Sequence, residues 1–388
     1  MEQHQFGHLS LPQPLMRVID ERGYKQPTSI QNKAIPYILD SRNVIVQSAT
    51  GSGKTLCYLS QILKVVEQGF GVQGLIIVPT KELAKQVYEE LQVFTKYHPL
   101  NIVMSVGGAS YKEHLDEIYK ADVIIGTTGR ISDFVEQGTF ELGRLKTVIM
   151  DEADELFLSS QFLRELEFIL KQTPKVSQKI VCSATIPKEA TQLVKHYIKE
   201  PKRIVADSYV NPKKLKQQIY EIEQDQKYSL LVHILKYEPM GLGIVFCNRQ
   251  DTAEWIYKNL RKDSNFEIEL LHGETGEGKR KKILKDFKEQ QFDILVTTDI
   301  AARGLDVEHI SHVFNYTLPK DANKYIHRIG RTARAGATGK VINFVGKSDV
   351  ESFIAILKEH DISPIFKQLP DFEVIEPKKE YSKKKERR

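Results

Sequence analysis

Cysteine is scarce in this chain. Three occur among 388 residues, Cys57, Cys182 and Cys247, without the paired spacing of a metal site. That argues against a disulfide framework or a zinc-ribbon fold and fits a reducing compartment. No apolar run approaches the length of a membrane span. The opening residues, Met1 to Phe6, lack the basic-then-apolar order of a secretory signal. A cytoplasmic protein without membrane contact is expected. Charge of one sign is also in short supply, since 56 Lys and Arg against 51 Asp and Glu leave only +5. The distribution says more, because Lys378 to Arg388 form a basic, non-periodic tail. It reads either as a solvated disordered end or as an arm that attracts nucleic acid. What remains is a globular composition at a length that suits two domains.

The chain is organised around Val44 to Thr55. The β-branched run Val44-Ile-Val46 suits a short buried strand, and apolar residues from Leu56 to Val66 recur at a helical period. Between them lie Ala49, Thr50, Gly51, Ser52, Gly53, Lys54 and Thr55. A glycine-rich turn opening a helix points backbone N–H groups at a polyphosphate, with the helix N-terminus adding partial positive charge. Lys54 can reach the β- and γ-phosphates and Thr55 can ligate Mg²⁺. The bland alternative is a glycine-rich turn before an ordinary helix. Upstream, Thr28 or Ser29 can cap a helix after Pro27. The Gln31 carboxamide suits the N6/N7 edge of adenine, with Phe6 as a stacking face; each is otherwise a surface amide and a core aromatic.

Beyond Gly74, strands at Leu75–Val78, Ile102–Val106, Val123–Ile125, Thr147–Met150 and Ile180–Cys182 alternate with helices, which predicts a parallel sheet with helices on both faces. Ligands of such sheets sit at the carboxyl ends of the strands. The loops there carry Pro79, Thr80, Lys81, Gly107, Gly108, Thr127, Thr128, Gly129 and Arg130, a set of hydroxyls, amides and cations that suits a sugar–phosphate track. Asp151 ends a strand where Mg²⁺ finds a second anchor, through water, and Glu152 can then activate the attacking water. Without the phosphate loop, Asp151 to Asp154 would read as an acidic helix start. The hydroxyls of Ser183 and Thr185 can hydrogen-bond Asp154 and report the nucleotide state.

A stretch without apolar periodicity, 207–216, reads as a linker between a domain at 1–206 and a second at 217–370, with 371–388 as the basic tail. The second domain repeats the strand–helix alternation without a phosphate loop. Arg328, Arg331 and Arg334 recur every three residues, so a helix would place them near one face, available to phosphate in trans. Arg280 is the better candidate for a phosphate contact among the cations of 279–288.

Taken in order, these segments resemble a minimal DEAD-box ATP-dependent RNA helicase of bacterial type, over about residues 6–345. The resemblance implies two tandem RecA-like domains, ATP with Mg²⁺, and RNA as partner with little sequence preference. It implies catalytic roles for Lys54, Asp151, Glu152 and the arginine fingers Arg331 and Arg334. It also implies adenine recognition by Phe6, Gln26 and Gln31, further nucleotide contacts from Gly304 and Asp306, and coupling through Asp154, Ser183, Thr185 and His327. Arg249, Arg280 and Thr297 join the loops above on the RNA path. By analogy the protein is a monomer in ribosome assembly or mRNA turnover. Four positions depart from the family pattern: Lys81 for Arg, Thr128 for Pro, Glu277 for Gln and Ala333 for Gly. An RNA clamp with slow turnover and a DNA helicase are the rival readings.

Overall fold

The computed structural model describes residues 5–48, 52–107, 111–139, 141–184, 190–206, 215–299, 301–302, 307, 310–319, 322–332, 339–359, 362–363 and 365–375. The chain divides into two units, Met1–Tyr209 and Val210–Arg388.

The first unit holds β1 (Val44–Gln47), β2 (Gly74–Val78), β3 (Ile102–Ser105), β4 (Val123–Thr127), β5 (Thr147–Met150), β6 (Gln178–Ser183) and β7 (Lys202–Val205). They form one sheet in the order β3-β4-β2-β5-β6-β1-β7, with every pairing parallel. Its helices are α1 (Gln13–Glu21), α2 (Ser29–Leu39), α3 (Lys54–Val65), α4 (Lys81–Phe94), α5 (Tyr111–Ile118), α6 (Thr128–Glu136), α7 (Ala153–Leu158), α8 (Ser160–Gln172) and α9 (Ala190–Tyr197). Strand side chains alternate between two apolar clusters. Val44, Val46, Ile76 and Val78 enter one, while Ile45, Leu75 and Ile77 enter the other. Both faces are therefore covered, which is why the strands read as unbroken apolar runs. Because all strands run the same way, the residues that follow β1, β5 and β6 share one edge.

The second unit repeats the plan with β8 (Leu215–Glu221), β9 (Leu242–Cys247), β10 (Ile268–Leu271), β11 (Ile294–Thr298), β12 (Ile310–Asn315), β13 (Gly339–Val345) and β14 (Ile365–Lys367), ordered β10-β11-β9-β12-β13-β8-β14 and again parallel throughout. Its helices are α10 (Lys227–Tyr237), α11 (Gln250–Asp263), α12 (Glu277–Lys288), α13 (Ala322–Ile329) and α14 (Val350–Glu359).

Two boundaries differ from the sequence expectation. β8 starts at Leu215, inside the span read as linker, because Leu215 is buried against the second core. The stretch read as tail begins with packed chain. Phe372 and Ile375 rest on the cluster around Tyr228 and Leu231, and the Ile375 N–H donates to Ser229 Oγ at 3.0 Å. The basic residues beyond Ile375 lie outside the described residues.

Candidate functional site

The first unit collects its polar residues where β1, β6 and β5 end side by side. The Ser48 N–H donates to the Ser183 carbonyl at 2.9 Å, tying the ends of β1 and β6. Lys54, the first residue of α3, is 7% exposed and donates from Nζ to the Ser48 carbonyl at 2.6 Å. Thr55 follows it, half-buried. Ser48 and Ser52 join their hydroxyls at 2.6 Å.

Asp151 follows β5 and is buried; burial pushes its carboxyl above the usual carboxylate range, while Lys54 works against that shift. The Tyr58 hydroxyl donates to Asp151 Oδ2 at 2.9 Å and the Glu152 N–H to Oδ1 at 2.9 Å. Tyr58 is absent from the sequence candidates. Its signal is its spacing, four residues after Lys54 and therefore on the same helical face. Two buried thiols pack near the carboxyl. Burial pushes Cys57 up to about 12 and Cys182 well above its ordinary value, so neither is a nucleophile at neutral pH. Glu152 caps α7 in the left-handed region, φ 45° and ψ 48°. Asp154, fully buried, donates its backbone N–H to Ser183 Oγ at 3.0 Å.

Gln31 has a second role that the sequence did not show. It is the third residue of α2 and completes a capping box with Thr28, whose N–H donates to Gln31 Oε1 at 2.9 Å. Gln31 Nε2 donates to the Gly53 carbonyl at 3.1 Å, and Thr28 Oγ1 donates to the Ser52 carbonyl at 2.9 Å. The start of α2 thus straps the phosphate loop. Gly53 sits at φ +90°, and a Cβ there would fall 2.4 Å from Gln31 Nε2. Gly53→Ala is therefore expected to destabilise the first unit by about 1–2 kcal/mol from backbone handedness alone, with further loss from displacing Gln31. Thermal unfolding of Gly53→Ala beside Gly53→Ala/Gln31→Ala checks this. The double variant should recover the clash component but not the backbone component.

Phe6 corrects the expectation of a stacking platform. It is 1% exposed, packed in the core with Leu9, Leu11 and Leu15, and offers no open face in this conformation. Gln26 is exposed in the loop before α2.

Along the same strand edge, Thr80 caps α4 by accepting the Leu83 N–H at 3.2 Å, after a buried Pro79. A Cβ on Gly107 would lie 3.9 Å from Lys81 Nζ, so that loop and that ammonium group are neighbours. Arg130 lies over the Phe134 ring at 4.8 Å. Thr128 is 1% exposed and donates its hydroxyl to Glu165 Oε2 at 2.6 Å, and Glu165 also lies against Gly129. The Thr128 hydroxyl therefore ties the start of α6 to α8. The partner, Glu165, is 37 residues away and invisible to sequence spacing.

In the second unit the three-arginine face is not what forms. α13 ends at Ile329, so Arg328 and Arg331 do not share a continuing helix. Arg328 is buried and forks onto Asp299, with Nε to Oδ1 at 2.5 Å and Nη2 to Oδ2 at 2.9 Å. Arg331 follows the helix, 5% exposed, with Nε donating to the carbonyl of the half-buried His327 at 3.2 Å. Thr297 is fully buried in β11, so its side chain is not exposed as an RNA contact here. Arg280 donates to the Ala301 carbonyl at 2.9 Å, and Arg249 is paired with Asp251, two residues on. The candidates Ala49, Thr50, Gly51, Gly108, Thr185, Gly304, Asp306 and Arg334 lie outside the described residues.

Known proteins match both units. A family model described as DEAD/DEAH box helicase covers residues 28–193, and one described as helicase conserved C-terminal domain covers residues 226–336. The DEAD-box ATP-dependent RNA helicase CshA of Geobacillus kaustophilus is 35% identical over 350 residues, 89% of this chain and 74% of the relative. CshA of Limosilactobacillus reuteri is 34% identical over 89% of this chain and 70% of its own. Among solved structures, S. cerevisiae Dbp5 bound to RNA and ADP BeF3 has a TM-score of 0.82 at 28% identity, covering 94% of this chain and 95% of that one. A DEAD box protein from the hyperthermophile Methanococcus jannaschii gives 0.61 at 32% identity, covering 94% and 99%. The two parallel sheets are thus two tandem RecA-like domains, and the chain belongs to the DEAD/DEAH box helicase family, in its DEAD-box ATP-dependent RNA helicase branch.

Proposed function

We propose that this chain hydrolyses ATP when RNA is bound and uses the cycle to separate short RNA duplexes or RNA–protein complexes locally, without processive travel. The observation that carries the reading is a buried Lys54 just after β1 and a buried Asp151 with Glu152 just after β5, on the two strands that flank β6. Lys54 neutralises phosphate oxygens once released from the Ser48 carbonyl. Glu152 takes the proton of the attacking water. Thr55 and Asp151 are the residues that would hold Mg²⁺, Asp151 through water. The fit is chemical, since a carboxyl whose charged form is disfavoured by burial is stabilised by a nearby cation. When bound, Mg²⁺ supplies charge neutralisation on the polyphosphate.

Gln31 selects adenine in this reading, which requires it to exchange its present partners for the base. Arg331 and Arg334 reach the γ-phosphate only when the two domains close over ATP and RNA. ATP and RNA then tighten each other's binding by the same factor. The loops at Pro79–Lys81, Gly107–Gly108 and Thr128–Arg130, with Arg249 and Arg280, follow the RNA backbone. The protein works as a cytoplasmic monomer, with ribosome assembly or mRNA turnover as the setting.

The test is steady-state ATP hydrolysis with single-stranded RNA, with DNA of equal length, and with neither. Stimulation by RNA and not by DNA is the expected result. Equal stimulation by DNA would overturn the RNA assignment, and ATP binding without turnover in any condition would make the chain a clamp.

A further inference from the structure

The first unit carries a second cationic concavity, away from the nucleotide site. A cleft of about 780 Å³ opens between the C-terminal half of α8, the loop leading into β6, and the end of α9. Its lining includes Arg164, Lys171, Lys175, Lys179 and Lys199, against a single carboxylate, Glu167. β6 begins beside this cleft and ends at Ser183 in the nucleotide site, so the two are separated by a strand of six residues, roughly 17 Å.

Cations near helix C-termini commonly offset the helix dipole, and Lys171 can be read that way. That reading does not cover Arg164 in the middle of α8, Lys175 in a loop or Lys179 in a strand. Lys179 is 3% exposed and spends its ammonium on the Pro174 and Ser177 carbonyls at 2.7 and 2.8 Å, which shapes the floor. Among the described residues, Arg164, Lys171, Lys175 and Lys199 have no carboxylate within ion-pairing distance. Glu167 instead accepts the Tyr197 hydroxyl at 3.2 Å. Aromatic groups share the same wall. Phe168 lines the cleft, and His196 packs edge-on to Tyr197 with ring centroids 4.6 Å apart. Unpaired cations beside partly open rings combine backbone neutralisation with base stacking, the two ways in which proteins hold single-stranded nucleic acid.

We propose that this cleft is an accessory contact for single-stranded RNA, engaging a part of the strand that extends beyond the strand-end loops of the same unit. An acidic peptide would use the cations but not the rings, which is why RNA is the favoured occupant. The proposal rests on RNA being the enzyme's substrate, and the two readings fail separately.

The experiment uses the full chain and two RNAs, of about 8 and about 40 nucleotides, the shorter within the span of a single binding groove. Lys171→Glu/Lys175→Glu is expected to weaken the longer RNA about tenfold, and to flatten its log–log salt slope by about 0.7 for each phosphate no longer neutralised. ATPase stimulation by the shorter RNA should not change. Lysine acetylation of the unaltered protein gives a second readout: the longer RNA should protect Lys171, Lys175 and Lys199, and the shorter should not. Unchanged affinity for the longer RNA would overturn the proposal. So would equal weakening of both lengths, which would mark a general field effect. Protection by tripolyphosphate but not by the longer RNA would also overturn it, in favour of a small-anion pocket. Failure of the shorter RNA to stimulate the unaltered enzyme would instead strike the proposed function.

Discussion

Glu152→Gln should lower RNA-stimulated ATP turnover by about 10²–10⁴-fold, the usual contribution of a general base, while leaving ATP binding close to its original strength. The geometry makes this substitution unusually clean. Glu152 is held in the left-handed region at φ 45°, a conformation that costs a residue with a Cβ about 1–2 kcal/mol. It is pinned there from both sides, its N–H donating to Asp151 Oδ1 at 2.9 Å and its carbonyl accepting the Glu155 N–H at 3.0 Å. Glutamine has the same shape and the same backbone preferences, so the pins survive and only the proton acceptor is lost. Glu152→Gly separates strain from chemistry: it should unfold at higher temperature yet be as inactive. If Glu152→Gln kept more than a tenth of the turnover, the base would have to be sought elsewhere.

Arg328→Ala should destabilise the second unit by about 3–5 kcal/mol, the scale for breaking a buried ion pair on one side. The guanidinium does more than pair with Asp299. It donates from Nη2 to Asn248 Oδ1 at 2.6 Å, and from Nη1 to Asn315 Oδ1 at 3.0 Å and to the Thr317 carbonyl at 2.6 Å, while lying 5.1 Å from the Phe246 ring centroid. Asn248 follows β9, Asn315 ends β12 and Asp299 follows β11, so one side chain ties the ends of three adjacent strands. A lysine cannot reproduce that fork, and Arg328→Lys should fail nearly as badly. The measurement is straightforward because the chain has a single tryptophan, Trp255, which sits in α11 against Tyr228. Its fluorescence in urea follows the second unit alone. Asp299→Ala should cost a similar amount, and the double variant less than the sum. Additive losses would mean that Arg328 and Asp299 do not act as a pair.

The sequence revealed strands whose two faces are both covered, such as Leu75–Val78 and Thr147–Met150. Burial on both sides demands continuous apolar residues, and that pattern is visible without any structure. Two strands that it did not reveal, β7 and β14, each lie at one edge of a sheet, whereas the edge strand β3 was legible from its apolar run. β7, Lys202–Val205, buries only Ile204, and β14, Ile365–Lys367, buries none of its residues, so neither leaves a periodic trace. The site divides in a similar way. Lys54, Asp151, Glu152 and the Ser183–Asp154 pair follow from local motifs at strand ends. The strap from Gln31 to Gly53, the Tyr58–Asp151 bond, the Glu165 carboxylate behind Thr128 and the inward turn of Arg328 all depend on interactions between distant segments. Arg328 and Arg331 look equivalent in sequence, and they part only because α13 stops between them.

The position of β1 has a consequence for synthesis on the ribosome. The strand that leads into the phosphate loop has only β6 and β7 as neighbours, and its first residue, Val44, pairs with Ile180 and Lys202. When Val44 emerges, both partners are still to be translated, and at about 5–20 residues per second the wait is on the order of 7–30 s. During that interval a strongly apolar segment has neither of its hydrogen-bonding edges covered. The nascent enzyme cannot assemble a nucleotide pocket early, and β1 is the stretch on which a holding chaperone would have most to do.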